Sequence, residues 1–145
     1  MNRILNFNEL DILAEKLADY AHENIVIALI GDLGTGKTTF TQKFAKSLGV
    51  TDVIKSPTFN YVLEYFTGRL PLYHFDVYRL SEPEEIYEIG YEDYLNNDGV
   101  VLIEWANIIE SELPKEYIKL ELKHYDDRSL SLIHISEPTR RVVIS

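Results

Sequence analysis

The sequence predicts an α/β domain in which a buried strand runs through a glycine loop into a helix. Three observations carry this expectation. "NIVIALI" (24–30) is a short, nearly all-apolar run, as a central strand covered on both faces requires. "GDLGTGKTTF" (31–40) sets three glycines within six residues, followed at once by a lysine and two threonines. "TTFTQKFAKSLG" (38–49) then places Phe40, Phe44, Ala45 and Leu48 on one helical face and stops at Gly49. The chain has 145 residues, 46% of them hydrophobic, which suits one domain with a real core.

The other elements follow in order. Leu10, Leu13, Ala14, Leu17, Ala18 and Ala21 recur at helical spacing, so residues 8–22 read as a helix with Asn8 as its N-cap. "TFNYVLEYF" (58–66) and "LPLYHFDVY" (70–78) flank "TGR", a hairpin turn. "EPEEIYEIG" and "YEDYL" (82–95) read as short acidic helices. "GVVLIEW" (99–105) is a second buried strand. "EYIKLELKHY" (116–125) alternates as a half-exposed strand, and "DDR" turns it into "SLSLIHI". The mixture predicts α/β architecture with antiparallel pairing at one side.

Gly31-x4-Gly36-Lys37-Thr38 fits G-x-x-x-x-G-K-[ST] between a strand and a helix. A loop that wraps a phosphate chain needs backbone N–H groups turned inward and no Cβ in the way, which glycine supplies. The helix start directs its positive dipole end at the anion. Lys37 would reach the β- and γ-phosphates, and the Thr38 hydroxyl would hold Mg²⁺. Gly34, Thr35, Gly36 and Thr39 complete the expected phosphate cradle. The stretch therefore predicts binding of a nucleoside triphosphate.

Magnesium needs a second anchor. Two apolar strands end in carboxylates, "LYHFD" at Asp76 and "VVLIE" at Glu104. Either could position the metal or the attacking water at the carboxyl end of a parallel strand. Trp105 follows Glu104 as a core residue or a wall of the site. His74 shares the strand face of Asp76, as a structural histidine or a neighbour of the phosphates. Thr58 of "SPTF" (56–59) is a candidate sensor of the γ-phosphate. The run from Glu82 to Asp93 is a solvated face or a docking surface for a basic partner.

Lys and Arg total 14 against 24 Asp and Glu, a net charge of −10. Strong direct binding of nucleic acid is not expected, because that affinity comes largely from basic surface. The absence of cysteine excludes disulfides and thiolate metal sites. No signal peptide and no membrane-length apolar run is seen, so a cytoplasmic location is expected.

"GDLGTGKTT", "SPTF", "YHFDVYRL" and "LIEW", in this order and spacing, resemble the TsaE (YjeE) family over about residues 5–128. These are small ATPases of bacterial tRNA threonylcarbamoyladenosine (t6A) biosynthesis. The resemblance implies a three-layer P-loop NTPase-like fold with a central, mostly parallel sheet and added antiparallel strands. It implies ATP and Mg²⁺, weak activity alone, and work with the proteins TsaB and TsaD, whose complex modifies adenosine 37 of ANN-decoding tRNAs. It maps the metal ligands onto Thr38 and Glu104, with Asp76 aiding catalysis or ordering the metal's water shell. Arg128 matches, by position, an arginine that approaches the nucleotide, and Phe7 and Asn8 would flank the adenine. Hydrolysis is expected to reset the partner complex, so the acidic chain acts on proteins while others hold the tRNA.

The resemblance stops near residue 130. "LSLIHISEPTR" (130–140) looks like the in-frame translation of a transposase adapter used in sequencing libraries. The expected organisation is one P-loop domain over 1–129 and a non-native tail over 130–145. The alternative is a genuine strand, with Leu130, Leu132, Ile133 and Ile135 alternating acceptably.

Three rival functions share parts of this pattern. A GTPase would carry the guanine-reading "NKxD", which is absent. A small-molecule kinase needs an arginine-bearing lid, yet Arg3, Arg69, Arg79, Arg128, Arg140 and Arg141 form no mid-chain cluster. The third is a nucleotide-gated binding module without turnover; Asp76 and Glu104 speak for hydrolysis, and turnover data separate the two.

Overall fold

The chain opens with a short strand, β1 (Arg3–Asn6), and turns at once into helix α1 (Phe7–Tyr20). The computed structural model describes residues 3–31, 37–55, 57, 60–126 and 129–136, by backbone alone at 3, 37, 38, 124–126 and 129–136. The N-cap of α1 is Asn6, not Asn8 as expected. Its side chain accepts the Glu9 N–H at 2.8 Å, while the Glu9 carboxylate accepts the Asn6 N–H at 3.1 Å. This reciprocal box satisfies two helix-end donors, and only Asn6 has a glutamate three positions on. The expected apolar stripe, Leu10, Leu13, Ala14, Leu17 and Ala18, is buried.

Strand β2 (Val26–Gly31) and helix α2 (Lys37–Ser47) frame the glycine loop as expected. Phe40, Phe44, Ala45 and Leu48 are buried, with the Phe40 and Phe44 rings stacked at 6.1 Å. Gly49 sits at φ +98°, where a side chain would be strained. Its N–H reaches Lys46 O at 3.0 Å, and the Val50 N–H reaches Ala45 O at 3.0 Å, a Schellman closure.

Five more strands follow: β3 (Val62–Tyr65), β4 (Leu72–Asp76), β5 (Val100–Glu104), β6 (Ile118–Asp126) and β7 (Ser129–Ser136). Together they form one seven-stranded sheet in the order β1-β7-β6-β2-β5-β4-β3. The four central strands, β6, β2, β5 and β4, are mutually parallel. Antiparallel pairing was expected at one side and occurs at both. The β3–β4 hairpin closes one edge, and β7 returns against β6 at the other, where β1 joins it. The sequence between β4 and β5 forms a 3-10 helix (Pro83–Ile89) and a short helix, α3 (Tyr91–Leu95). A second 3-10 helix (Ala106–Glu112) follows β5.

Three layers result. On one face α1 and α2 pack on Ile27, Leu29, Leu72, Val100, Leu102 and Leu120. On the other, Ile86, Tyr91, Ala106 and Ile109 cover Val26, Ala28, Phe75, Val101 and Ile103. All five β5 residues are buried, as a strand covered on both faces must be. No helix among the described residues is long and apolar enough to cross a membrane.

Candidate functional site

Strand alternation decides which side chains can meet. On β4, Leu72, His74 and Asp76 share a face, and on β5, Val100, Leu102 and Glu104 do. Leu72, Val100 and Leu102 belong to the core beneath α1 and α2. The two carboxylates and the histidine therefore project to the side of the sheet that carries α2. Asp76 and Glu104 are register partners at the carboxyl ends of adjacent parallel strands. Leu29 of β2 pairs with Glu104 on the other side, so the chain enters the glycine loop two residues beyond that carboxylate. This is the edge at which doubly wound sheets bind ligands.

Each acidic group is held. Asp76 Oδ1 accepts the Tyr78 N–H at 3.1 Å, a local turn that fixes the carboxylate at the strand end. Glu104 is buried, and its Oε2 lies 2.5 Å from His74 Nε2. His74 is 2% exposed. Among the described residues, its Nδ1 is a buried atom with no hydrogen-bond partner.

Trp105 occupies left-handed backbone at φ 60°, which costs a non-glycine residue about 1–2 kcal/mol. That turn takes the chain sharply from β5 into the following 3-10 helix. The half-buried indole packs toward the opposite core, with the exposed Tyr78 ring 5.2 Å away. It lines a cleft of about 160 Å³ with Ile30, Gly31, Asn107 and Lys123, so it adjoins the first glycine of the loop.

The expected residues thus divide. Asp76, Glu104 and His74 come together. Trp105 borders them from the other side of β5. Lys37 and Thr38 open helix α2, and Thr39 follows them with an exposed side chain. Gly34, Thr35, Gly36, Thr58 and Arg128 lie outside the described residues. Phe7 and Asn8 are exposed at the start of α1. Two contributions were not anticipated: the His74 contact with Glu104, and Tyr78 beside both Asp76 and Trp105. The spacing of "HFDVY" hinted at the first, but its partner depends on the register of another strand.

Among the described residues no three His, Asp or Glu side chains converge on a metal position. Two carboxylates beside a loop whose sequence fits phosphate binding nevertheless suit Mg²⁺, which takes one or two protein oxygens and draws the rest from phosphate and water. A parallel sheet, a strand–glycine loop–helix unit and an acidic pair at the strand ends define a nucleotide-binding protein of the P-loop class.

The comparisons narrow the class to a family. The family profile described as "Threonylcarbamoyl adenosine biosynthesis protein TsaE" matches residues 4–131. The tRNA threonylcarbamoyladenosine biosynthesis protein TsaE of Bacillus subtilis is 44% identical over 86% of this chain and 78% of its own length. The TsaE protein of Rickettsia prowazekii is 39% identical over 92% of this chain and 94% of its own length. The crystal structure of YdiB from Bacillus subtilis superposes with a TM-score of 0.75 at 37% identity, covering 94% of this chain and 86% of that one. The chain belongs to the TsaE family of tRNA threonylcarbamoyladenosine biosynthesis proteins.

Proposed function

We propose that the chain is a Mg²⁺-dependent ATPase subunit of t6A biosynthesis that works in the cytoplasm with TsaB and TsaD. The observation that carries this reading is the in-register pair of Asp76 and Glu104 on the α2 face, at the mouth of the glycine loop. Asp76, placed beside Glu104 where it can orient water, favours hydrolysis over a binding module without turnover. In this reading Gly34, Thr35, Gly36 and Thr39 wrap the phosphates, and Lys37 contacts the β- and γ-phosphates. Thr38 and Glu104 hold the metal. Asp76, fixed by the Tyr78 N–H, orients water for attack on the γ-phosphate. Bound Mg²⁺ supplies charge neutralisation on the β- and γ-phosphates. Thr58 senses the γ-phosphate, and Trp105 and Arg128 border the nucleotide. The net charge of −10 supports action on protein partners rather than direct binding of tRNA.

The test is Mg²⁺-dependent ATP hydrolysis, with and without TsaB and TsaD, with Glu104→Ala as control. Slow turnover that rises with the pair and collapses in the variant is expected. Robust turnover indifferent to the pair, or phosphate passed to a small metabolite, would overturn the reading in favour of a kinase.

At the chain end, we propose that residues 1–129 are the ATPase domain and that 130–145 are adapter-derived. Strand β7 is the backbone shape that the alternation of 130–135 allows whatever its origin. Long-read sequencing of the source gene decides. An uninterrupted gene encoding "LSLIHISEPTR" sinks the proposal.

A further inference from the structure

The histidine at position 74 needs an explanation. It lies in the middle of β4 between buried Tyr73 and Phe75, and it is itself buried. An apolar residue there would avoid a polar atom without a partner, a burial that is ordinarily unfavourable. The ring makes one hydrogen bond among the described residues, to Glu104 on the neighbouring strand. Register explains how. Asp76 faces Glu104 directly and His74 faces Leu102, so the ring sits one same-face position behind the carboxylate and reaches forward to it.

Resting on the reading that Glu104 faces a Mg²⁺-nucleotide, we infer that His74 is a positioning residue that donates from Nε2 to Glu104 Oε2 and thereby leaves Oε1 to meet the cation. Two observations support the direction of the bond. Glu104 Oε2 is the acceptor available to Nε2 at 2.5 Å. A proton on Nδ1 would instead bury a donor with nothing to receive it among the described residues. In this inference the bridging proton sits on Nε2, which fixes one carboxylate oxygen and the side-chain torsions leading to it. Outer partners of this kind orient metal ligands and set their affinity.

Two measurements test this. The first needs no nucleotide: ¹⁵N chemical shifts of the His74 ring in the free protein. Protonated Nε2 and bare Nδ1 are expected; the Nδ1–H tautomer would overturn the inference whatever the protein binds. The second is equilibrium binding of a fluorescent ADP analogue to the full chain, titrated with Mg²⁺ and repeated without it. His74→Leu should raise the Mg²⁺ half-saturation by about tenfold or more, the usual effect of losing such a partner, and leave Mg²⁺-free binding unchanged. His74→Gln, which places an N–H near the same point, should restore most of the loss. On a Glu104→Gln background, His74→Leu should add nothing. If His74→Leu does not fold, His74→Asn replaces it, being too short to reach the carboxylate. Equal weakening with and without Mg²⁺, or no rescue by Gln, would reduce His74 to a packing role. Failure of the unaltered protein to bind the analogue at all would overturn the nucleotide reading itself.

Discussion

Arg69 ties the hairpin of β3 and β4 to both helices on the site's face, and its removal should be measurable. Helix α1 ends without a glycine closure and with no basic residue in its last turn. Arg69 supplies what is missing from 48 residues away: its Nη2 donates to Ala18 O at 2.6 Å and Ala21 O at 3.0 Å. Its own backbone N–H donates to Leu48 O at 2.8 Å, at the end of α2. Hydrogen bonds from a charged donor are worth about 1.5–3 kcal/mol, and a cation at a helix C-terminus adds about 0.3–1 kcal/mol. Both side-chain bonds leave one nitrogen of a residue that is exposed overall, so they do not add, and solvent discounts them. Arg69→Ala should therefore cost about 1.5–2.5 kcal/mol, or roughly 5–10 °C in Tm for a domain of this size. Arg69→Lys should recover about half of that, because lysine offers charge without the planar fork. Urea unfolding is the assay, read as a lower midpoint at constant m-value. A loss under about 0.5 kcal/mol in Arg69→Ala would refute the idea that this side chain closes the helix, since solvated surface contacts fall in that range.

Three further outcomes follow from packing and charge. Burial, with the Glu64 hydrogen bond and charge behind it, pushes the Tyr94 phenol up to about 12. Between pH 10 and 12 the unfolded chain then loses this proton first, so stability falls as pH rises; the fall should be shallower in Tyr94→Phe, and equal slopes in urea unfolding at pH 9 and 11 would refute it. At Gly99 an added Cβ would lie 2.5 Å from Tyr73 Cε2 and 2.7 Å from Pro71 O, so Gly99→Ala should cost about 1–3 kcal/mol by thermal or urea unfolding, and an unchanged midpoint would contradict the close approach. His74→Leu or Glu104→Leu alone should cost about 1–3 kcal/mol by stranding the other partner, whereas the double variant should unfold near the unaltered protein; additive losses in a urea double-mutant cycle would exclude the coupling.

Local pattern made much of this molecule legible. The apolar run of β2, the glycine loop and the stripe of α2 are consecutive in sequence, so strand, loop and helix could be read together. Asp76 and Glu104 were each visible as acidic strand ends. Their adjacency was not, because register between β4 and β5 is a long-range property set by the packed sheet. The same limit hid the partner of His74. Asn6 was a different kind of miss: the "NFNE" signature was present, but Asn8 also preceded the apolar stripe, and Glu9 breaks the tie. β1 is too short to announce itself and is defined by pairing with β7, more than 120 residues on. Arg69 looked like one residue of a turn, since nothing local reveals that a guanidinium reaches back to α1.

The polar residues of β4 and β5 show why the site sits where it does. β5 is apolar up to Glu104 at its last residue, and β4 carries His74 at its middle and Asp76 at its end. A carboxylate deeper in β5 would be enclosed by core on both faces and would lose its charge or destabilise the sheet. At the strand's last residue it can keep one oxygen against His74 and still stand near the start of the glycine loop. His74 extends this arrangement one pair inward, at the cost of a nitrogen left without a partner among the described residues. Stability alone would favour leucine at both positions. In the proposed reading their chemistry serves a metal-bearing phosphate: a carboxylate oxygen in a low-dielectric setting, fixed in direction before the ligand arrives.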